Sequence, residues 1–250
     1  MLNKIPADIL KWLSICLVAL YPLAIAGARF DVMHFSNSFL IFIVSALVGF
    51  VVLVLAVLKL SKQQAGESTS LVLAIVLTLV PLMLLGNNIV KARSLPFIHD
   101  VTTDTQNPPM FSAAKEARAE GDHPVEYKGE EIATLQQEGY PDITTLEIAE
   151  TPENALAKSK QIVMDMGWEV LAVNDQQPPY TIEAVDTSLL FGFKDDIVIR
   201  FTSFTTPEQH VDIPPKTKVD VRSMSRVGKS DLGANADRIR AFLHQLKESR

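Results

Sequence analysis

Cysteine is almost absent from this chain, since Cys16 is the only one among 250 residues. It lies in an apolar run near the amino terminus, and no cysteine follows residue 96. A disulfide framework is therefore excluded, and the region after residue 96 has no thiol for a nucleophile or for a cysteine-ligated metal site. Internal repeats are absent as well.

Charge is missing from three long stretches, residues 9–28, 39–60 and 70–90, except for Lys11 and Lys59 near the ends of two of them. Each stretch has the roughly 20 residues that a helix needs to cross about 30 Å of hydrocarbon. The sequence predicts a three-helix membrane anchor over residues 1–96 and a soluble domain over residues 97–250. We expect the first run to be retained, because Arg29, Phe30 and Asp31 supply no small-residue signal cleavage site.

An excess of basic residues is lacking where a soluble domain is predicted. Residues 1–96 carry seven Lys and Arg against three Asp and Glu, a net charge of +4, whereas the remainder carries 16 against 26, a net charge of −10. Nucleic acid is excluded as a partner, because its binding requires cations that neutralise phosphates. The expected partners are the lipid bilayer and a lipid, polymer or protein of the cell envelope.

Short segments around the three runs set the expected orientation. Basic residues on the side of the amino terminus outnumber those on the other side, and cytoplasmic segments carry the excess. The two sets are Lys4, Lys11, Lys59 and Lys62 against Arg29, Lys91 and Arg93. The count predicts a multi-pass protein of the bacterial inner membrane with a periplasmic domain.

Periodicity predicts the elements of the domain. Residues 97–150 are irregular, with helical pieces near residues 111–119 and 130–138. A helix begins at Thr151-Pro152 and ends at Gly167, strands follow over residues 168–174, 180–186, 189–193, 197–203 and 216–224, and a helix begins near Asn235. Lys194-Asp195-Asp196 is predicted as a tight turn. This order predicts an α+β domain with an antiparallel sheet and helices on one face, resembling a helix-grip fold.

The predicted core lies between the sheet and the helices. Its members are apolar residues at alternating strand positions or on the helix stripe. They are Trp168, Ile182, Phe191, Val219, Val221 and Phe242.

Five motifs occur in order along the domain. They are Ile98-His99-Asp100-Val101-Thr102-Thr103-Asp104, Gly139-Tyr140-Pro141-Asp142-Ile143, Gly167-Trp168-Glu169, Asp195-Asp196-Ile197-Val198-Ile199-Arg200, and a run centred on Val221-Arg222-Ser223 and residues 225–233. Over residues 97–246 the chain resembles the uncharacterised family called domain of unknown function 1499. The resemblance implies placement in bacterial or plastid envelopes and no particular mechanism.

Acidic candidates for chemistry lie at the start of the domain. His99, Asp100 and Asp104 offer a nitrogen and two carboxylates, whereas the alternative is that His99 and Asp100 cap a turn. No histidines have paired metal-ligand spacing, so no metal or cofactor is expected. Gly228-Lys229-Ser230 lacks the earlier glycine of a phosphate-binding loop and also fails the nucleophile-elbow pattern.

A basic and hydroxyl-rich cluster precedes the last helix. Backbone N–H groups at a helix start, together with such side chains, favour an anion site. The candidates are Arg222, Ser223, Ser225, Arg226, Lys229 and Ser230. The alternative is structural, with Asp195, Asp196, Asp220 and Asp231 neutralising the arginines and the serines capping the helix.

Two functions remain open at this stage. One is a non-catalytic envelope protein whose domain binds a lipid, polymer or protein partner. The other is an extracytoplasmic hydrolase that uses Asp100, Asp104 and Asp142 with His99. A transporter subunit is less favoured, because the apolar runs contain no central charge for an ion path.

Overall fold

The structure is a computed structural model that describes residues 5–62, 67–204 and 215–249, so Lys4 of the orientation count lies outside it. The chain forms two compact units. The helical unit contains residues 1–93 and 189–192, and the sheet unit contains residues 94–188 and 193–250.

The helical unit is built from three helices, α1 (Ala7–Arg29), α2 (Phe35–Leu60) and α3 (Ser68–Ser94). All three are long and apolar enough to cross a membrane, which confirms the three predicted runs. Small residues such as Ala56 and Ala74 are buried between them, while Leu23, Leu47 and Leu84 remain more than half exposed. This distribution is typical of helices that pack through small residues and turn large apolar side chains to lipid.

The sheet unit holds one antiparallel sheet of six strands in the order β1-β6-β5-β4-β3, with β2 paired to β6 beside β1. The strands are β1 (Asp100–Thr102), β2 (Leu146–Ile148), β3 (Glu169–Asn174), β4 (Tyr180–Thr187), β5 (Lys194–Phe204) and β6 (Lys216–Ser225). The helices are α4 (Ala113–Glu116), α5 (Glu130–Gly139), α6 (Pro152–Asp165) and α7 (Ala234–Glu248). The predicted α+β class with an antiparallel sheet is confirmed.

Helix α6 illustrates how local chemistry sets the elements. Thr151 caps its start by accepting a hydrogen bond from the Asn154 N–H at 3.3 Å, and Pro152 occupies the first helical position. Gly167 follows its end with a φ of +75°, a backbone conformation that favours glycine. The predicted start and end of this helix are confirmed.

The main core lies between the sheet and helices α6 and α7. Ile197, Ile199 and Phe201 alternate along β5 and are fully buried, as is Phe242 on α7. Five of the six predicted core residues belong to this core, namely Trp168, Ile182, Val219, Val221 and Phe242. Phe191 does not, because it lies half-exposed in the loop between β4 and β5 rather than in a strand.

The position of that loop corrects a second prediction. Thr187 pairs with Lys194, so residues 188–193 make the turn and Asp195 and Asp196 lie in β5. The prediction of a tight turn at Lys194-Asp195-Asp196 was wrong because it treated charge as a turn signal. Each carboxylate has an arginine partner, Arg238 for Asp195 and Arg226 for Asp196.

The irregular segment 103–128, which contains α4, covers the opposite face of the sheet at one end. Phe111, Ala114 and Val125 from this segment form a second small core with Val198 and Met224 from the strands. At this end of the sheet, the side chains of β5 and β6 that point away from the main core are therefore also buried, namely Asp196, Val198, Arg222 and Met224. The polar residues among them form the candidate site.

Candidate functional site

Arg222 lies on β6 beneath the irregular segment and is 2% exposed. Its guanidinium binds Asp100 of β1 through two bonds, from Nε to Oδ1 at 2.9 Å and from Nη2 to Oδ2 at 2.8 Å. The guanidinium carbon lies 4.8 Å from the centre of the Phe111 ring and 5.4 Å from that of the Tyr127 ring. A planar cation between two aromatic rings and a carboxylate is well neutralised.

Arg226 follows β6 and shares Asp196 with Arg118 from the irregular segment. Arg226 donates from Nη2 to Oδ1 of Asp196 at 2.7 Å, and Arg118 donates from Nε to Oδ2 at 2.8 Å. The Asp196 side chain is 0% exposed. We call Asp100, Asp196, Arg118, Arg222 and Arg226 the buried ionic layer.

The buried ionic layer attaches the irregular segment to the sheet through main-chain atoms. Arg222 donates to the carbonyl oxygens of Pro109 at 3.2 Å and Val125 at 2.8 Å, and Arg226 donates to that of Ala117 at 3.0 Å. Glu183 on β4 complements them, because its carboxylate accepts from the N–H groups of Ser112 and Ala114. The N–H groups of Arg222 and Arg226 therefore donate hydrogen bonds to partners inside the domain.

The arginine pairs in the structure agree only in part with the structural alternative predicted from the sequence. Arg226 takes Asp196, which is one of the four expected partners, whereas Arg222 takes Asp100 instead. Asp220 binds Arg200 at 2.8 Å, and the backbone N–H groups of Gly233 and Asn235 bind the Asp231 carboxylate. Arg222 and Arg226 are thus brought into one layer but are buried.

The hydroxyl groups of the predicted anion set have separate partners. Ser223 donates to Asn235 Oδ1 at 2.7 Å, and the Asn235 amide donates to Ser225 Oγ at 3.0 Å. These bonds tie β6 to the first turn of α7. Lys229 is exposed and Ser230 is half-buried, in a turn where Gly228 has a φ of +89°. Among the cations of the predicted anion site, Lys229 is the one accessible to solvent.

The acidic candidates do not converge. Asp100 faces Arg222, whereas Asp104 lies at another place, where it accepts from Arg200 Nη2 at 3.1 Å and from the Gln106 and Asn107 N–H groups. His99 stacks on His123 with ring centres 4.2 Å apart. Among residues 5–62, 67–204 and 215–249, no group of three His, Cys, Asp or Glu side chains is arranged to hold a metal ion.

The surroundings of His99 favour the neutral form of its imidazole. Burial lowers its pKa below the ordinary value of 6.5, and the neighbouring His123 and Lys128 lower it further, while Asp100 opposes them. A neutral ring can stack on its neighbour without repulsion between two cations. The stack lies beside the Lys229 turn, because His123 Nε2 is hydrogen-bonded to the carbonyl oxygen of Gly228 at 2.8 Å.

Three arginines of the site region were missed by sequence reasoning, Arg118, Arg200 and Arg238. Arg118 lies in irregular chain, where no local pattern predicts its partner. Arg200 could have been found, because it shares the alternating face of β5 with Asp196. Arg238 lies one helical turn after Asn235 and binds Asp186 and Asp195, each at 2.7 Å.

Comparison with known proteins gives a family and no closer relative. The family model described as protein of unknown function (DUF1499) matches residues 100–246. Neither the curated proteins nor the solved structures gave a match. The matched range begins at β1 and ends inside α7, so it contains the whole sheet, the buried ionic layer and the Lys229 turn. The chain belongs to the DUF1499 family, as the resemblance of its five motifs indicated.

Proposed function

We propose that this protein is a multi-pass inner-membrane protein whose extracytoplasmic domain binds an envelope lipid, polymer or protein without catalysing a reaction. The observation that supports a binding function most strongly is the state of the acidic side chains. Asp100, Asp104 and Asp142 each accept hydrogen bonds from a different arginine, Arg222, Arg200 and Arg240.

The hydrolase alternative requires carboxylates of a different kind. A general acid near neutral pH needs a raised pKa and a position beside its partner group. The Arg240 guanidinium instead lowers the pKa of Asp142 below its ordinary value. The three acids also bind arginines on separate elements, β6, β5 and α7. This arrangement favours binding over hydrolysis.

Within the predicted anion set, the proposal divides the residues by burial. Arg222, Arg226 and Ser225 are buried and bonded inside the domain, so they shape the surface. Lys229 provides an exposed cation and Ser230 a half-buried hydroxyl, next to His123 and Gly228. The ligand chemistry that fits them is a phosphate or carboxylate group, from either a lipid headgroup or a soluble molecule.

Anion binding is tested by thermal unfolding of the detergent-solubilised full-length chain. We expect added inorganic phosphate or phosphatidylglycerol to raise the melting temperature, because a ligand stabilises only the state that binds it. Lys229→Ala should abolish this rise, while Lys247→Ala, which removes an exposed cation from the last turn of α7, should retain it.

The two additives distinguish the source of the anion. A rise with phosphatidylglycerol alone assigns a lipid headgroup, and untargeted mass spectrometry of molecules that co-purify with the protein should then detect that lipid class. An equal rise in Lys229→Ala, or no rise in any variant, would contradict anion binding at this turn.

Orientation is tested by thiol labelling in a Cys16→Ser background. Glu248, near the end of α7, has a side chain 69% exposed, so a cysteine introduced there should react with a membrane-impermeant reagent in intact spheroplasts. A cysteine at the exposed Ser61, between α2 and α3, should react only after lysis. The reverse pattern would place the domain in the cytoplasm.

A further inference from the structure

The loop between β4 and β5 carries an unusual tip for a soluble domain. Leu189 and Leu190 are 85% and 57% exposed, and Phe191 follows them half-exposed. Turns normally present Gly, Asn, Asp, Ser or Pro, as the neighbouring β3–β4 connection does with Asp175, Pro178 and Pro179. We call Leu189, Leu190 and Phe191 the apolar tip.

The apolar tip belongs to the helical unit. Residues 189–192 are grouped with residues 1–93 in one compact unit. Within this unit the Phe191 ring stacks on Phe39, with centres 5.4 Å apart and planes 14° apart, and lies 5.8 Å from the Phe42 ring. Phe39 is in the first turns of α2, so the tip lies at the end of α2 where this helix begins.

Chain connectivity assigns that end to one side of the bilayer. Three successive crossings put the end of α1, the start of α2 and the end of α3 on the same side. The sheet unit follows α3, so the apolar tip and the ends of these helices share the side on which the domain lies. Phe and Leu side chains are among those that interfacial segments bury at the boundary between headgroups and acyl chains, where Phe35 and Phe39 of α2 would also lie.

We propose that the apolar tip inserts into the interfacial layer of the bilayer, beside the start of α2. The inference rests on the proposed membrane anchoring of the chain. No charge occurs from Thr187 to Phe193, and the first charge on each side is Asp186, paired with Arg238, and the exposed Lys194. A neutral apolar tip with a lysine at its base matches a surface of acyl chains covered by anionic headgroups.

Depth-dependent fluorescence quenching tests the proposal on the full-length chain. In a Cys16→Ser background, an environment-sensitive fluorophore is attached to Leu190→Cys, and the protein is reconstituted into vesicles of phosphatidylcholine and phosphatidylglycerol. Lipids spin-labelled near the headgroup or, in a parallel series, deep in the acyl chain are then added as quencher. We expect the emission to shift to the blue and to be quenched by the headgroup-labelled lipids.

Two reference positions make the outcomes distinct. Val51→Cys, 55% exposed on α2, should be quenched by the lipids labelled deep in the acyl chain, because it lies in the middle of a membrane span. Met110→Cys, an apolar residue 84% exposed in the sheet unit, should be neither shifted nor quenched. If position 190 behaves like position 110 while position 51 is quenched, the proposal that the apolar tip inserts is wrong, whereas the proposed membrane anchoring is retained. If position 51 is unquenched, the membrane anchoring itself is wrong.

Discussion

Replacement of Arg222 by alanine is expected to lower the free energy of unfolding by roughly 3–5 kcal/mol, the usual result of breaking a buried ion pair. Among the described residues, Arg222 is the arginine that binds Asp100, and both side chains are almost fully buried. The substitution leaves a carboxylate uncompensated in the interior. It also removes the donors that hold the carbonyl groups of Pro109 and Val125.

The measurement is urea unfolding of the full-length chain in detergent, followed by the fluorescence of Trp168 in a Trp12→Phe background. Arg240→Ala is the matched control, since Arg240 also binds an aspartate, Asp142, through two bonds, but on the surface. An exposed pair of this kind contributes about 1 kcal/mol or less. Equal losses in the two variants would contradict the structural role of Arg222.

Arg226→Ala should lower the free energy of unfolding less than Arg222→Ala does, although both arginines are buried. Asp196 keeps its bond from Arg118 when Arg226 is removed, whereas Asp100 keeps no arginine when Arg222 is removed. The loss for Asp196→Ala should in turn be larger than that for Arg226→Ala, because Asp196→Ala leaves two buried guanidinium groups without their carboxylate. A different order of the three losses would mean that the buried ionic layer is not held by these pairs.

Phe242→Ala is expected to lower the free energy of unfolding by about 3–5 kcal/mol, the usual loss for emptying a large core site. Phe242 is fully buried between α7 and the sheet, and its ring centre lies 6.0 Å from that of Trp168. The same urea unfolding experiment measures the loss. It reports directly on the packing of the last helix.

The control for Phe242 is its neighbour on the exposed side of α7. His244 has a side chain 70% exposed, and His244→Ala should change stability by about 0.5 kcal/mol or less. A loss below about 1 kcal/mol for Phe242→Ala would mean that α7 contributes little to the core.

Sequence periodicity predicted the long elements well because their patterns are local. The three apolar runs, helix α6 and the strands β3, β4, β5 and β6 each show their own spacing of apolar residues. Strands β1 and β2 were missed, since three residues are too few for a period to be recognised. The turn at residues 194–196 was misplaced because Asp195 and Asp196 are charged yet lie in a strand, each paired with an arginine.

The candidate site could be predicted as a set of residues but not as a set of contacts. Arg222 and Arg226 stand out in the sequence, and so do the acids at the start of the domain. Arg222 and Asp100 are separated by 122 positions, and Arg118 and Asp196 by 78. Nothing local tells which carboxylate meets which guanidinium, because the pairing follows from strand register and from the path of the irregular segment.

The attachment of segment 103–128 through its main chain bears on how this family can diverge. The arginines bind carbonyl groups at positions 109, 117 and 125, and Glu183 binds N–H groups at positions 112 and 114. Every amino acid supplies a main-chain carbonyl group. Side chains of this segment can therefore vary where they do not contact the sheet, whereas Phe111, Ala114 and Val125 are held in the second small core and Arg118 by Asp196. Proline is disfavoured at 112 and 114, where an N–H is needed. Selection should act instead on Arg222, Arg226 and Glu183, so relatives with unlike loops can keep the same fold.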